Sequence, residues 1–177
     1  MHAGGPDRVR QAIVVMGVSG SGKSTLAADL ARRLGCAFLE GDDFHPAANV
    51  AKMRGGVPLD DADRWPWLDR LGQAIAGEMA AAGLTVAACS ALRRRYRDRL
   101  RDTIGEPVRF VLLCASRAEL MRRLERRTGH YMPASLVDSQ LATLERPDAD
   151  EDALLLPCGP PTAKLAAAAF EWIMAPD

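Results

Sequence analysis

The residues best suited to chemistry stand in one run, Gly17-Val18-Ser19-Gly20-Ser21-Gly22-Lys23-Ser24, a complete G-x-x-x-x-G-K-S. Glycines in such a turn let successive backbone N–H groups converge on an anion, and a helix beginning at its end adds the positive end of its dipole. Lys23 then reaches the β and γ phosphates of a nucleotide, and the Ser24 hydroxyl ligates Mg²⁺, with Gly17 to Thr25 lining the phosphate site. A dinucleotide fingerprint is excluded because Gly20-Ser21-Gly22-Lys23-Ser24 has no third glycine at the required spacing. A merely flexible Gly/Ser turn is the bland alternative, and the apolar run just before it weighs against that.

A phosphate-binding loop by itself leaves kinases, GTPases and ATP-driven switches open. No guanine-reading N-K-x-D-like segment occurs, and the apolar run Leu84–Cys89 is followed by Ser90 rather than the Asp of a motor ATPase. A small-molecule kinase needs an acceptor site, a group to take the hydroxyl proton and a cationic cover over the phosphates. Glu40-Gly41-Asp42-Asp43-Phe44-His45-Pro46 provides carboxylates at the end of a second strand, and Asp42 is the candidate base. Asp42 and Asp43 could instead only start a turn. Asp60, Asp61 and Asp63 add carboxylates nearby, and Lys52 is one of three lysines in an arginine-rich chain. The cover is sought in Arg122, Arg123, Arg126, Arg127 and His130, where Arg123 and Arg127 share a helix face. A solvated basic face is the alternative there. The run Arg93–Arg101 reads as a helix paired with acidic segments rather than a nucleic-acid patch, since Tyr96 is its only aromatic residue.

These groups must be held by a scaffold, and its outline is legible. At 177 residues, one domain with an insertion is expected. With 48% hydrophobic and 26% charged residues the chain can bury a core, and 23 basic against 23 acidic side chains leave no global field for nucleic acid or an anionic membrane. The runs Ala12–Val18 and Met79–Cys89 fall short of the about 20 apolar residues that span a bilayer. Four scattered cysteines without a C-x-x-C pair suit a reducing cytoplasm. Short apolar runs alternate with helical periods, which predicts βαβ units and a parallel sheet. Strands are placed at Ala12–Met16, Ala37–Glu40, Leu84–Cys89, Val108–Cys114 and Ala153–Leu156. Helices are placed at Lys23–Leu34, Asp63–Ala82, Arg93–Thr103, Ser116–Arg127, Pro133–Glu145 and Thr162–Met174, with Gly35, Gly83 and Gly105 as C-terminal stops. Gly41–Arg64 and Arg122–Pro133 are expected as long functional loops.

The blocks GVSGSGKS, GDDFHPAANVAKMRGGVPLDDADRWPWL, CSALRRRYRDRLR, RRLERRTGHYMP and SQLATLERP resemble, in that order, those of the bacterial gluconate kinases of the shikimate-kinase-like group. The resemblance runs from about Ile13 to Pro147. It implies a three-layer α/β P-loop NTPase fold with a five-stranded parallel sheet flanked by helices, a helical lid, and commonly a homodimer. It further implies Mg²⁺-dependent transfer of the ATP γ phosphate to the 6-hydroxyl of D-gluconate. Carried over, Asp42 and His45 fall in the acceptor segment, Lys52 and Arg64 in the K-M and D-R-x-P-W-L blocks, and Arg123, Arg127 and His130 in the lid. Glu40 stands where the family often has Asp, and Tyr131 where it often has Phe. The expected organisation is a disordered leader 1–11 and one kinase domain 12–177, with acceptor segment 41–68 and lid 122–133. A sibling kinase of another hydroxy acid would alter the segment from Asp42 to Arg64, and a non-catalytic switch would bind ATP without consuming an acceptor.

Lys23 should matter most as negative charge redistributes during transfer. Lys23→Met is expected to lower kcat by orders of magnitude while the circular dichroism spectrum is kept; wild-type turnover would remove the P-loop from the mechanism.

Overall fold

The computed structural model describes residues 10–126 and 134–176. Its centre is β1 (Gln11–Met16), six residues that are all buried. A strand buried on both faces reads as a continuous apolar run, which is how a central parallel strand is made. Around it lie β2 (Ala37–Glu40), β3 (Leu84–Ala88), β4 (Val108–Cys114) and β5 (Ala153–Pro157), all parallel, in the order β2-β3-β1-β4-β5. The pairs Val15↔Ala88 and Met16↔Leu112 bring the carboxyl ends of the three central strands level. The loops after β1 and β3 touch there, Gly17 N–H donating to the Ser90 carbonyl at 3.3 Å.

Alternation along β1 sends Ala12, Val14 and Met16 to one face and Ile13 and Val15 to the other. The first face packs on α3 (Asp61–Ala82) and α4 (Arg94–Ile104) through Trp67, Leu71, Ile75, Tyr96 and Leu100. The second packs on α1 (Lys23–Leu34) and α7 (Thr162–Met174) through Leu26, Leu30, Leu165 and Ala169. Three layers result. A smaller cluster of Val18, Leu92, Leu120 and Val137 seats α5 (Arg117–Arg126) and α6 (Ala134–Thr143) over the loop after β1.

The expected strands and helices are all present among the described residues, and Gly35, Gly83 and Gly105 end α1, α3 and α4 in the left-handed region. Three differences have local causes. Gln11 begins β1 instead of ending a leader, its N–H bonded to the Gly83 carbonyl at 3.1 Å; residues 1–9 lie outside the described residues. α3 starts two residues before Asp63, because Asp60 and Asp63 form a reciprocal capping box. The segment expected as one long loop from Gly41 contains a 3₁₀ turn (Gly41–Phe44) and α2 (Ala47–Arg54). Only Asn49 of α2 is buried, so no apolar period announces that helix.

The deepest polar contact joins α4 to the segment before β5. Arg97 and Glu151 have side chains 0% and 1% exposed and form a bidentate pair at 2.6 and 2.9 Å. Arg97 Nη1 also donates to the carbonyls of Ala91 and Glu145, each at 3.1 Å. Burial pushes the Glu151 carboxyl up, but Arg97, the Asp148 N–H and Arg101 outweigh it and hold its pKa at about 2. The stability from this carboxylate is therefore complete above its ordinary value of 4.5 and is lost as pH falls toward 2. Arg97→Met, which leaves a buried carboxylate alone, is expected to cost about 3–5 kcal/mol in urea unfolding. Glu151→Gln should flatten the fall in thermal midpoint over the same acid range; an unchanged slope would place that fall in other carboxylates.

Candidate active site

The loop between β1 and α1 has Gly17, Gly20 and Gly22 at φ 146, 82 and 96°, a backbone that side-chain-bearing residues rarely adopt. A Cβ on Gly17 would lie 3.0 Å from both the Leu113 carbonyl oxygen and Ser21 Oγ, and one on Gly22 would lie 3.2 Å from Arg123 Nη1. Gly22 caps α1 without a side-chain hydrogen bond, which leaves the helix N-terminus open to an anion. Lys23 Nζ donates to the Val18 carbonyl at 3.3 Å, and Ser24 and Thr25 are exposed on the first turn. Ser21 Oγ is buried with no partner. Beside the loop opens a pocket of about 230 Å³ lined by Gly20, Gly22, Thr25, Arg123, Arg126 and Thr162. Glycine cradle, helix terminus and cationic wall fit a nucleoside triphosphate. Among the described residues no group of three or more His, Cys, Asp or Glu could hold a metal ion.

The acceptor-side residues gather where β2 ends. A Cβ on Gly41 would sit 2.2 Å from the Ala88 carbonyl oxygen, so only glycine lets the 3₁₀ turn press against β3. That turn leaves Asp42 with its side chain 83% exposed. Trp67 Nε1 donates to the Gly41 carbonyl at 2.7 Å, and the His45 ring stacks on Trp67 with centroids 4.1 Å apart. Burial pushes the His45 pKa down; Asp42 opposes this and Arg64 reinforces it. Lys52 lies 2.7 Å from both Asp63 carboxylate oxygens, joining α2 to the first turn of α3. Arg64 donates through Nε and Nη2 to the Leu59 carbonyl and lies 5.2 Å from the Tyr96 ring centroid. It pairs with neither Asp60 nor Asp61; Asp61 instead accepts from Tyr96 Oη at 2.6 Å and meets Arg95.

The arginine run behaves as a helix paired with acids. Arg94 meets Asp148 and Asp150, Arg99 meets Asp69, and Arg101 meets Asp98. Arg93 is different: its Nε is buried without a partner among the described residues, at the bend that carries the chain from β3 to α4. Ala91 in that bend has φ 43°, a strained value for a residue with a side chain.

Arg123 and Arg127 are the two expected to share a face of the cationic cover. The structure clamps Arg123, which donates to Glu119 at 2.8 Å, to the Ser21 carbonyl at 3.2 Å and to the Cys158 carbonyl at 2.5 Å. Arg127 and His130 lie outside the described residues. Two residues without an assigned role in the sequence also belong here. Gln140 of α6 accepts from the Ser19 N–H at 2.6 Å, and Asn49 of α2 donates to the Asp63 carbonyl at 2.8 Å. Both sit in the blocks that carry the resemblance, but nothing in spacing alone connects Gln140 to a loop 121 positions earlier.

Residues 13–147 match the model of an AAA domain family. The chain is 54% identical over 139 residues to a gluconokinase of Gluconobacter oxydans, covering 78% of each protein. It is 44% identical over 142 residues to the thermosensitive gluconokinase of Escherichia coli, covering 80% of this chain and 75% of that one. The chain belongs to the gluconokinase family. A crystal structure of a gluconokinase from Sinorhizobium meliloti superposes with a TM-score of 0.85 at 42% identity, covering 94% of this chain and 93% of that one. In this gluconokinase-family chain the phosphate cradle follows β1 and the acceptor rim follows β2, with the tip of β3 between them.

A bound triphosphate would compete for Arg123 with the Ser21 and Cys158 carbonyls, so a non-hydrolysable ATP analogue should change the cover as well as the cradle. Amide hydrogen exchange is expected to slow over residues 19–25 and 117–126 when the analogue binds. Equal protection with and without it would show a cover already rigid.

Proposed function

We propose that the protein is an ATP-dependent gluconokinase, converting D-gluconate and ATP into 6-phospho-D-gluconate and ADP. The observation that carries this reading is a chain 54% identical to a gluconokinase in which the glycine loop after β1 and the exposed Asp42 carboxylate after β2 follow the ends of parallel strands separated by β3 alone.

Asp42 takes the proton from the 6-hydroxyl as its oxygen attacks the γ phosphorus in line. The bond from that phosphorus to the β–γ bridging oxygen breaks, and ADP leaves. Lys23 and the N-terminus of α1 face the charge that accumulates on the β phosphate, and Arg123 supplies a cation from the other side. Mg²⁺ would be held by the Ser24 hydroxyl and would supply neutralisation of phosphate charge. His45 borders the acceptor, Lys52 keeps the rim on α3, and Arg127 and His130 complete the lid 122–133 in this reading. A single kinase domain 12–177, a homodimer and a cytoplasmic location are proposed on the family resemblance; among the described residues no helix is long and apolar enough to cross a membrane.

Gluconate differs from neutral polyols by its carboxylate, and the fork of a guanidinium suits that group. Arg64 is the proposed anchor. It has no carboxylate partner among the described residues, and Arg93 adds a second cation at the same Asp61–Tyr96 corner.

ADP release across gluconate, other sugar acids, shikimate, nucleosides and water tests the assignment, with gluconate expected to be the efficient acceptor. Release equal to that with water alone would leave a nucleotide-dependent switch. Asp42→Asn should lose about 10²- to 10⁴-fold in kcat with ATP binding kept. Arg64→Ala should raise the gluconate KM about 10- to 100-fold and narrow the preference for gluconate over sorbitol. A KM that rises instead in Arg54→Ala or Lys52→Ala would move the anchor and keep the kinase.

A further inference from the structure

The two ring nitrogens of His45 face different groups. Nδ1 lies 3.3 Å from Asn49 Nδ2, and Nε2 lies 4.0 Å from Asp42 Oδ1. Which nitrogen carries the proton follows from Asn49. Its Nδ2 donates to the Asp63 carbonyl oxygen at 2.8 Å, an atom that can only accept, so the amide nitrogen and not the amide oxygen occupies this corner. The second hydrogen on Nδ2 is then the one facing His45 Nδ1, and that nitrogen must offer its lone pair. Both groups are buried: Asn49 is 3% exposed and the His45 side chain 4%.

We propose that Asn49 is a positioning residue for phosphoryl transfer, locking His45 as the neutral imidazole protonated at Nε2 so that an N–H is turned toward Asp42. The proposal rests on the reading of Asp42 as the group that receives the acceptor proton. An Nε2–H biases one carboxylate oxygen toward the ring and leaves the other for the hydroxyl. The opposite tautomer would set a lone pair against the carboxylate. An imidazolium would set its Nδ1–H against the Asn49 N–H and would weaken Asp42 as a base by placing a full positive charge beside it.

The surroundings agree from every side. The ring is faced by Asp42 from the 3₁₀ turn, Asn49 from α2, and Trp67 and Arg64 from α3. Of the two charged groups, Asp42 favours the imidazolium and Arg64 opposes it, while burial disfavours it most strongly. The far end of the relay is also held, because Asp63 is fixed by Lys52 and by the Asp60 N–H. Lys52, Asp63, Asn49 and His45 thus connect the capped start of α3 to the Asp42 carboxylate.

Long-range ¹H–¹⁵N spectra of the uniformly labelled full chain distinguish the tautomers of its three histidines, His45 being assigned by its loss in His45→Gln. The expected result is an Nε2–H neutral ring at pH 7 that titrates only below its ordinary 6.5. An Nδ1–H ring or an imidazolium at pH 7 overturns the proposal, and this wild-type measurement holds whether or not any variant folds. In Asn49→Asp a carboxylate can accept from Nδ1–H, so His45 should switch tautomer or gain a proton. The kcat for gluconate should then fall about tenfold or more, with nucleotide affinity kept. A switched ring with wild-type kcat overturns the positioning role. An Nε2–H ring in a chain that does not turn over gluconate supports the lock and overturns the substrate instead.

Discussion

The buried Arg97 guanidinium ties together the segments that follow β3 and α6 and the one that precedes β5. A charge with no exposure must be matched where it stands, and Glu151 matches it from the segment leading into β5. The remaining donors then reach the carbonyl of Ala91 after β3 and that of Glu145 after α6. Three segments distant in sequence are thereby tied to one side chain. The first carries Arg93 and the second follows the helix that places Gln140 on Ser19. Neither would have a defined place if the ion pair were replaced by water.

Parallel register does the corresponding work for the two reactants. Because β1, β3 and β2 end nearly level, the nucleotide cradle and the acceptor rim open on the same edge of the sheet. Close approach is enforced by backbone contacts that tolerate no side chain, at Gly17 against Leu113 and at Gly41 against Ala88. The acceptor rim is then stiffened by Trp67, which holds the Gly41 carbonyl with its indole N–H and the His45 ring with its face. Asp42 is exposed on a turn whose two sides are both pinned.

Electrostatics separates scaffold from site. The chain is neutral overall although rich in arginine, and most arginines of α4 are matched by carboxylates on neighbouring elements. Exposed pairs of this kind contribute little each. Near Tyr96 and Asp61 the matching is different: Arg64 is bonded to a carbonyl, and Arg93 has a buried Nε without a partner among the described residues. An anionic acceptor beside an anionic nucleotide requires such an excess, and it is supplied locally without a basic surface.

The sequence by itself determined the sheet, because a strand buried on both faces has to be an apolar run and a helix between strands has to show its period. It also determined the phosphate cradle, whose eight contiguous residues act through backbone conformation and so carry their chemistry in local order. Asp42 was legible as a candidate because it is a carboxylate at the end of a strand, and Arg64 through the D-R-x-P-W-L block that carries the family resemblance. Tertiary structure alone decided the partners. Helix α2 was invisible because it buries only Asn49, and Asn49 matters because folding sets it between His45 and the carbonyl of Asp63. Arg97 looked like one arginine among several until burial separated it from Arg94 and Arg99. Gln140 met Ser19 only through the packing of α6 over the loop after β1. Periodicity reports which side of an element is buried, whereas a hydrogen bond between distant segments depends on distances that exist only once the layers have packed.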